Sequence, residues 1–115
     1  MMGMTNRVHT FARPENKEKL TKFFTEILGC ELVARTGSIL AFQFSNGASL
    51  SVEFTEDALD EKQPWRGAWL EVKTEDPSAL KRKVLAAGLS QVKHTISNRF
   101  YFQAPGGQIW GIVEA

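Results

Sequence analysis

Two histidines, a single cysteine and thirteen carboxylates are the side chains of this 115-residue chain that could move protons, attack a substrate or hold a metal ion. In Val8-His9-Thr10-Phe11-Ala12-Arg13 the residues alternate as they do in a strand, which puts His9, Phe11 and Arg13 on one face. The same alternation in Leu50-Ser51-Val52-Glu53-Phe54 sets Ser51 and Glu53 opposite the apolar residues. An imidazole and a carboxylate are the pair that general acid–base work requires, and they equally form a satisfied hydrogen-bonded pair with no catalytic part. Further along, Trp69 and Glu71 share a face, as do Arg99, Tyr101 and Gln103. Their rings offer stacking surfaces, and the Arg99 guanidinium offers a bidentate contact to a carboxylate or phosphate. His94 reads as a surface or strand-pairing residue, with a third place beside His9 and Glu53 in a rearranged site as the alternative. Cys30 has no second cysteine to pair with and reads as a small buried apolar side chain rather than a catalytic thiol.

The elements that must position these residues repeat. Arg7–Gly29 reads as one strand and one helix, with Pro14 stopping the strand, then Leu20, Phe23, Phe24, Ile27 and Leu28 at helical spacing, then Gly29 as the stop. Gly67–Gly88 repeats that order: Ala68–Val72 is the strand, Asp76-Pro77 gives an N-cap and a preset first-turn residue, and Gly88 ends the helix. Strands are expected at Glu31–Arg35, Ile39–Ser45 and Ala48–Thr55, with Asn46-Gly47 as the hairpin turn, and again at Ser90–Thr95, Arg99–Ala104 and Gln108–Glu114, with Pro105-Gly106-Gly107 before the last. The order is βαβββ twice. A ferredoxin-like βαββαβ domain has two strands between its helices, whereas Glu31–Lys73 holds four. The polar stretch Glu56–Arg66 reads as a solvated linker, which divides a single 1–115 domain into module one (about 5–56), linker (about 57–66) and module two (about 67–115).

Composition excludes several classes. A net charge of +1 gives no general attraction to nucleic acid or acidic lipid. Met1–Asn6 lacks the apolar core of a signal peptide, and no apolar run nears the ~20 residues of a membrane span, so no membrane role is expected. The lone cysteine fits a cytoplasmic setting.

Arg7-Val8-His9 opening the first strand, Phe23-Phe24…Ile27-Leu28-Gly29, Leu80…Ala86-Ala87-Gly88-Leu89 and Phe102…Pro105-Gly106-Gly107 before the final strand occur together in this order. In this the chain resembles the vicinal oxygen chelate superfamily, which holds glyoxalase I, extradiol dioxygenases, and fosfomycin and bleomycin resistance proteins. The resemblance covers nearly the whole chain. It implies an α+β fold of two βαβββ modules forming a curved, mostly antiparallel cup-like sheet with helices on the outer face. It also implies a divalent metal held by a His on the first strand and a Glu on the last strand of a module. In module one His9 matches that His, and Glu53, or Ser51 in the alternative register, matches that Glu. In module two the match puts Gly67 and Gly111 at those places. A catalytic divalent site takes about three protein ligands, so no catalytic metal is expected here, with His9 and Glu53 its only holders if there is one.

The aliphatic face of each strand should pack under the helices. The opposite face, with His9, Phe11, Glu53, Trp69, Arg99 and Tyr101, would line the cup. Two functions follow from different classes. One is a metal-free protein that binds a small, partly aromatic molecule between Phe11, Trp69 and Tyr101, with Arg99 on its anionic group. The other is a metal-dependent lyase or dioxygenase of the glyoxalase type using His9 and Glu53 as catalytic residues. Members of this size complete their cups by pairing modules within or between chains, so a homodimer is expected.

Overall fold

The structure is a computed structural model that describes residues 1–95 and 97–115. The chain divides into two compact units, Met1–Ala58 and Leu59–Ala115. Each has the expected order of one strand, one helical segment and three strands, and no helix is long and apolar enough to cross a membrane among the described residues.

In the first unit β1 (Arg7–Ala12) leads through a 3-10 turn at Pro14–Asn16 into α1 (Lys17–Lys22), which widens into a π-helical turn at Phe23–Ile27 before β2 (Glu31–Thr36), β3 (Ile39–Gln43) and β4 (Ser49–Phe54). The sheet order is β1-β4-β3-β2, with β1 parallel to β4 and the other pairs antiparallel. A regular helix through Leu28 is the simple reading of the apolar spacing. The widened turn instead carries two neighbouring phenylalanines into the core, where the Phe24 ring stacks on Phe42 of β3 at 4.6 Å between centroids. Leu40, Phe42, Leu50 and Val52 are all buried on that face, as alternation requires. The Asn46-Gly47 signal forms a turn from Phe44 to Gly47 rather than a two-residue loop: Gly47 N–H donates to the Phe44 carbonyl at 3.0 Å and Gly47 alone in it takes a positive φ.

The second unit repeats the plan with β5 (Leu70–Thr74), α2 (Pro77–Ala86), β6 (Gln91–Val92), β7 (Phe100–Gln103) and β8 (Ile109–Glu114), in the order β5-β8-β7-β6 with β5 parallel to β8. Asp76 caps α2, its Oδ1 accepting from the Ala79 N–H at 3.0 Å, and Leu80 and Val84 are the buried helix residues. Pro105-Gly106-Gly107 repeats the earlier turn, with Gly107 N–H donating to the Ala104 carbonyl as Gly47 does to Phe44.

Three expectations change. The strand expected at Ala68–Val72 begins at Leu70. The strand expected at Ser90–Thr95 is confined to Gln91–Val92, with the Ser90 carbonyl accepting the Gln103 N–H just before it, while His94 lies outside the strand and accepts the Ser97 N–H at its Nδ1, at 3.0 Å. The stretch expected as a solvated linker is mostly exposed and also makes defined contacts. Gln103 Nε2 donates to the Glu61 carbonyl, the Glu61 carboxylate accepts the Gly106 N–H, and Arg66 donates to the Asp60 carbonyl, so residues 59–66 pack on the Pro-Gly-Gly turn of their own unit. A Cβ on Gly107, which has a φ of +105°, would run into Arg66 Nη2 and the Asp60 backbone carbonyl, which leaves glycine as the residue that fits there.

Candidate functional site

Because β1 and β4 are parallel and in register, His9 lies opposite Ser51 and Phe11 opposite Glu53. The His9–Glu53 contact is therefore diagonal across the pair, and its Nε2···Oε1 distance is 2.9 Å. In the neutral imidazole Nε2–H donates to the carboxylate, which leaves the Nδ1 lone pair as the basic atom. Phe11 sets its ring edge-on to the imidazole at 5.1 Å and is 53% exposed. Both polar side chains are exposed to water, so the pair contributes at most ~1 kcal/mol to folding. What the first unit offers is an open acid–base pair beside one accessible ring.

The second unit uses the equivalent positions differently. Glu71 lies opposite Gly111 as His9 lies opposite Ser51, so Glu71 and not Gly67 occupies the place of His9. Gly67 precedes β5, whose later start moves the match. Glu71 accepts a charge-assisted hydrogen bond from the Arg99 guanidinium, and the guanidinium expected to receive an anion is thus already engaged by a carboxylate. Tyr101 pairs with Gly111 across β7 and β8, and its ring lies on the bare backbone there: a Cβ at 111 would meet Tyr101 Cε1 at 2.7 Å and Cδ1 at 3.0 Å. The ring is only 8% exposed. Trp69 covers it with centroids 5.2 Å apart, and His94 stands edge-on to Trp69 at 5.7 Å. The Tyr101 hydroxyl meets Ser97 Oγ at 3.2 Å.

The alternation of the strands could not show one member of this cluster. Trp65, from the stretch read as linker, stacks on Trp69 at 5.2 Å with 25° between the planes and is 75% exposed. Trp69 is fixed from below, its Nε1–H donating to the Pro64 carbonyl at 2.7 Å. The only sequence signal for Trp65 was the chemistry of an indole in an otherwise charged segment, four residues before Trp69, which was already read as uncovered.

Donor chemistry decides how far a metal fits. His9 and Glu53 are two donors already joined to each other, Gly111 has no side chain and its space is filled by the Tyr101 ring, and Glu71 is held by Arg99. No group of three His, Cys, Asp or Glu side chains that could hold a metal ion occurs among the described residues. The residues present fall short of the three-donor open site that catalytic divalent metals use. His94, expected as an outside candidate for completing such a set, spends Nδ1 on the Ser97 N–H and packs among rings of its own unit. Cys30 is buried, and burial pushes its thiol up to about 11, which makes it a poor nucleophile at neutral pH.

Two βαβββ repeats, each a four-stranded mixed sheet with one helical segment, define a small α+β protein of two similar modules. No family model and no curated protein sequence matches the chain. Solved structures do. A protein described as of the glyoxalase family, from Bacillus anthracis, matches over 99% of this chain and 96% of its own at 16% identity with a TM-score of 0.77. The fosfomycin resistance protein FosX of Listeria monocytogenes, solved with Mn(II) and sulfate, matches over 100% and 92% at 13% identity with a TM-score of 0.76. FosX of Mesorhizobium loti matches over 100% and 94% at 12% identity with a TM-score of 0.73. The chain therefore has the vicinal oxygen chelate fold, the fold of the glyoxalase and fosfomycin resistance proteins.

Proposed function

We propose that the protein binds a small, partly aromatic organic molecule and does so without a catalytic metal. The observation that carries this reading is the ring cluster of the second unit, in which Trp69 packs at a tilt on Tyr101 and Trp65 stacks on Trp69 as a widely exposed indole. Apolar surface left in water costs roughly 25 cal/mol per Å², and a ring held in a fixed stack cannot lower that cost by folding inward, so a ligand that covers it is favoured. Phe11 gives the first unit a smaller surface of the same kind beside His9 and Glu53. The protein is further proposed to work in the cytoplasm as a homodimer, since each four-stranded sheet ends in two edge strands and edge strands favour pairing; light scattering that gives a monomer at high micromolar concentration removes the dimer.

The test is a thermal-shift screen of metabolites and aromatic drugs on chelator-treated protein, repeated on Trp69→Ala and Arg99→Ala. Hits that lose their stabilisation in Trp69→Ala support the reading. Hits unchanged in both variants place the ligand elsewhere and overturn it.

A metal-dependent lyase or dioxygenase of the glyoxalase type is the second reading, and the contact between His9 and Glu53 favours it by bringing two donors together. A stoichiometric metal that survives dialysis against a chelator and is lost in His9→Ala would establish it over the first.

A further inference from the structure

The ring cluster has an inside and an outside, and accessibility rises from Tyr101, which is buried, through Trp69, which is half-buried, to Trp65, which is exposed. Tyr101 is nearly closed off between Gly111 and Trp69, while Trp69 is covered on its outer side by Trp65 and tied by its Nε1–H to the Pro64 carbonyl. Trp65 is left with one indole face on Trp69 and the other toward solvent. A tryptophan held in this way pays little rotamer entropy on binding, because its orientation is already set by the ring beneath it.

The charges around the stack point to the kind of molecule that fits. Both arginines flanking these rings in the sequence have N–H groups engaged, so neither presents a free fork to an anion, and the Asp60 and Glu61 carboxylates interact with the charge of Arg66. Arg99 is joined to Glu71, and Arg66, next to Trp65, donates Nε to the Gln63 carbonyl at 2.9 Å and Nη2 to the Asp60 carbonyl at 2.7 Å. An arginine directed into its own turn also does not compete for the indole face. Tryptophan has the most negative face of the aromatic side chains, so a flat ring carrying positive charge gains both stacking area and attraction to the quadrupole.

We propose that the open face of Trp65 is the ligand-contacting surface of the second unit and that it takes flat heteroaromatic cations, with Trp69 and Tyr101 as its support. This rests on the small-molecule reading and narrows it from a partly aromatic molecule to a planar cation, in place of the anionic group expected at Arg99.

The probes are proflavine, a planar cation, and 2-naphthalenesulfonate, a planar anion, each titrated into the full chain while dye or tryptophan emission is followed. Proflavine is expected to bind at one site per chain at least about fivefold more tightly than the sulfonate, to weaken about tenfold in Trp65→Ala, and to stay within about threefold in Trp65→Phe, which keeps a stacking face. Because Trp65 is largely exposed, Trp65→Ala should melt within a few degrees of the parent, which separates lost contact from lost fold. Proflavine binding unchanged in Trp65→Ala, or equal affinity for both dyes, overturns this inference and leaves the small-molecule reading in place. If Trp65 emission is that of a buried indole in a dimer, or if Trp65→Ala abolishes dimerisation, the face belongs to a second copy of this chain and the inference fails. If neither dye binds and the screen on chelator-treated protein yields nothing, the small-molecule reading itself fails.

Discussion

The two units share an order of elements, a sheet order and a register, yet they present opposite kinds of surface. In the first, the residue opposite His9 is Ser51, and a hydrogen-bonded imidazole and carboxylate stand in water beside one phenylalanine. In the second, the residue opposite Glu71 is Gly111, and the space above it is filled by the Tyr101 ring, which Trp69 covers at a tilt and on whose indole Trp65 is stacked. Removing one side chain from the strand is enough to turn a place where polar groups could gather into a floor for rings. The pairing of a glycine with a cross-strand aromatic is what makes this stable, since the ring covers backbone that would otherwise be exposed. The fold carries both arrangements without any change in its own plan.

That contrast should be confined to the open faces. Phe42 and Phe102 hold equivalent core positions and are both fully enclosed, so Phe42→Ala and Phe102→Ala are each expected to cost about 3–5 kcal/mol in chemical denaturation. Costs that differ by more than about twofold would mean that the units differ in their cores as well.

A second distinction lies under the first unit. The Cys30 thiol, raised from 9.0 to about 11 by burial, prefers to stay protonated in the folded chain. Folded pKa above unfolded pKa means that this stabilisation is complete below about pH 9 and is lost as pH rises through about 11. Stability of the parent is therefore expected to fall by up to about 2–3 kcal/mol between those values relative to Cys30→Ala, read as the difference between urea midpoints of the two proteins. Parallel pH profiles would show that the thiol is not held out of water.

At the paired positions themselves, Gly111→Ala should cost about 1–3 kcal/mol because the new Cβ must displace the Tyr101 ring, and most of that cost should vanish in a Tyr101→Ala background. Ser51→Ala, its counterpart, should change stability by less than about 0.5 kcal/mol. Additive effects of Gly111→Ala and Tyr101→Ala would separate the glycine from the ring. The smallest effects belong to the two exposed pairs. His9→Ala and Arg99→Ala should each cost less than about 1 kcal/mol, with the Arg99–Glu71 contribution fading as salt is raised. A larger cost at His9 would mark a structural role that its exposure does not suggest.

Much of this was legible in the sequence. Leu40, Phe42, Leu50 and Val52 alternate too regularly to be anything but one buried face, and Asp76-Pro77 and Gly88 frame a helix on their own. The fold class followed from counting strands between the two helices. The faces were legible only as lists of residues, because alternation says which side a residue is on and not what else reaches it. Arg99 reads as a free cation until Glu71 is seen beside it, and Tyr101 reads as a ligand surface until Gly111 and Trp69 are seen to enclose it. Trp65 lies in an irregular segment with no period, so nothing in its neighbours predicted that it would cap the stack. The start of β5 at Leu70 rather than Ala68 moved Gly67 off the strand and brought Glu71 to the position of His9, a shift that no local signal in Gly67-Ala68-Trp69 marks.

The central claim is that binding belongs to the rings of the second unit and needs no metal at His9 and Glu53. It is tested most directly by isothermal titration of one screened ligand into chelator-dialysed protein, alongside Trp69→Ala and His9→Ala. The expected result is full affinity after chelation, retained within about twofold in His9→Ala and weakened about tenfold or more in Trp69→Ala. Affinity that disappears on chelation, returns with a divalent metal and is lost in His9→Ala while surviving in Trp69→Ala would contradict it.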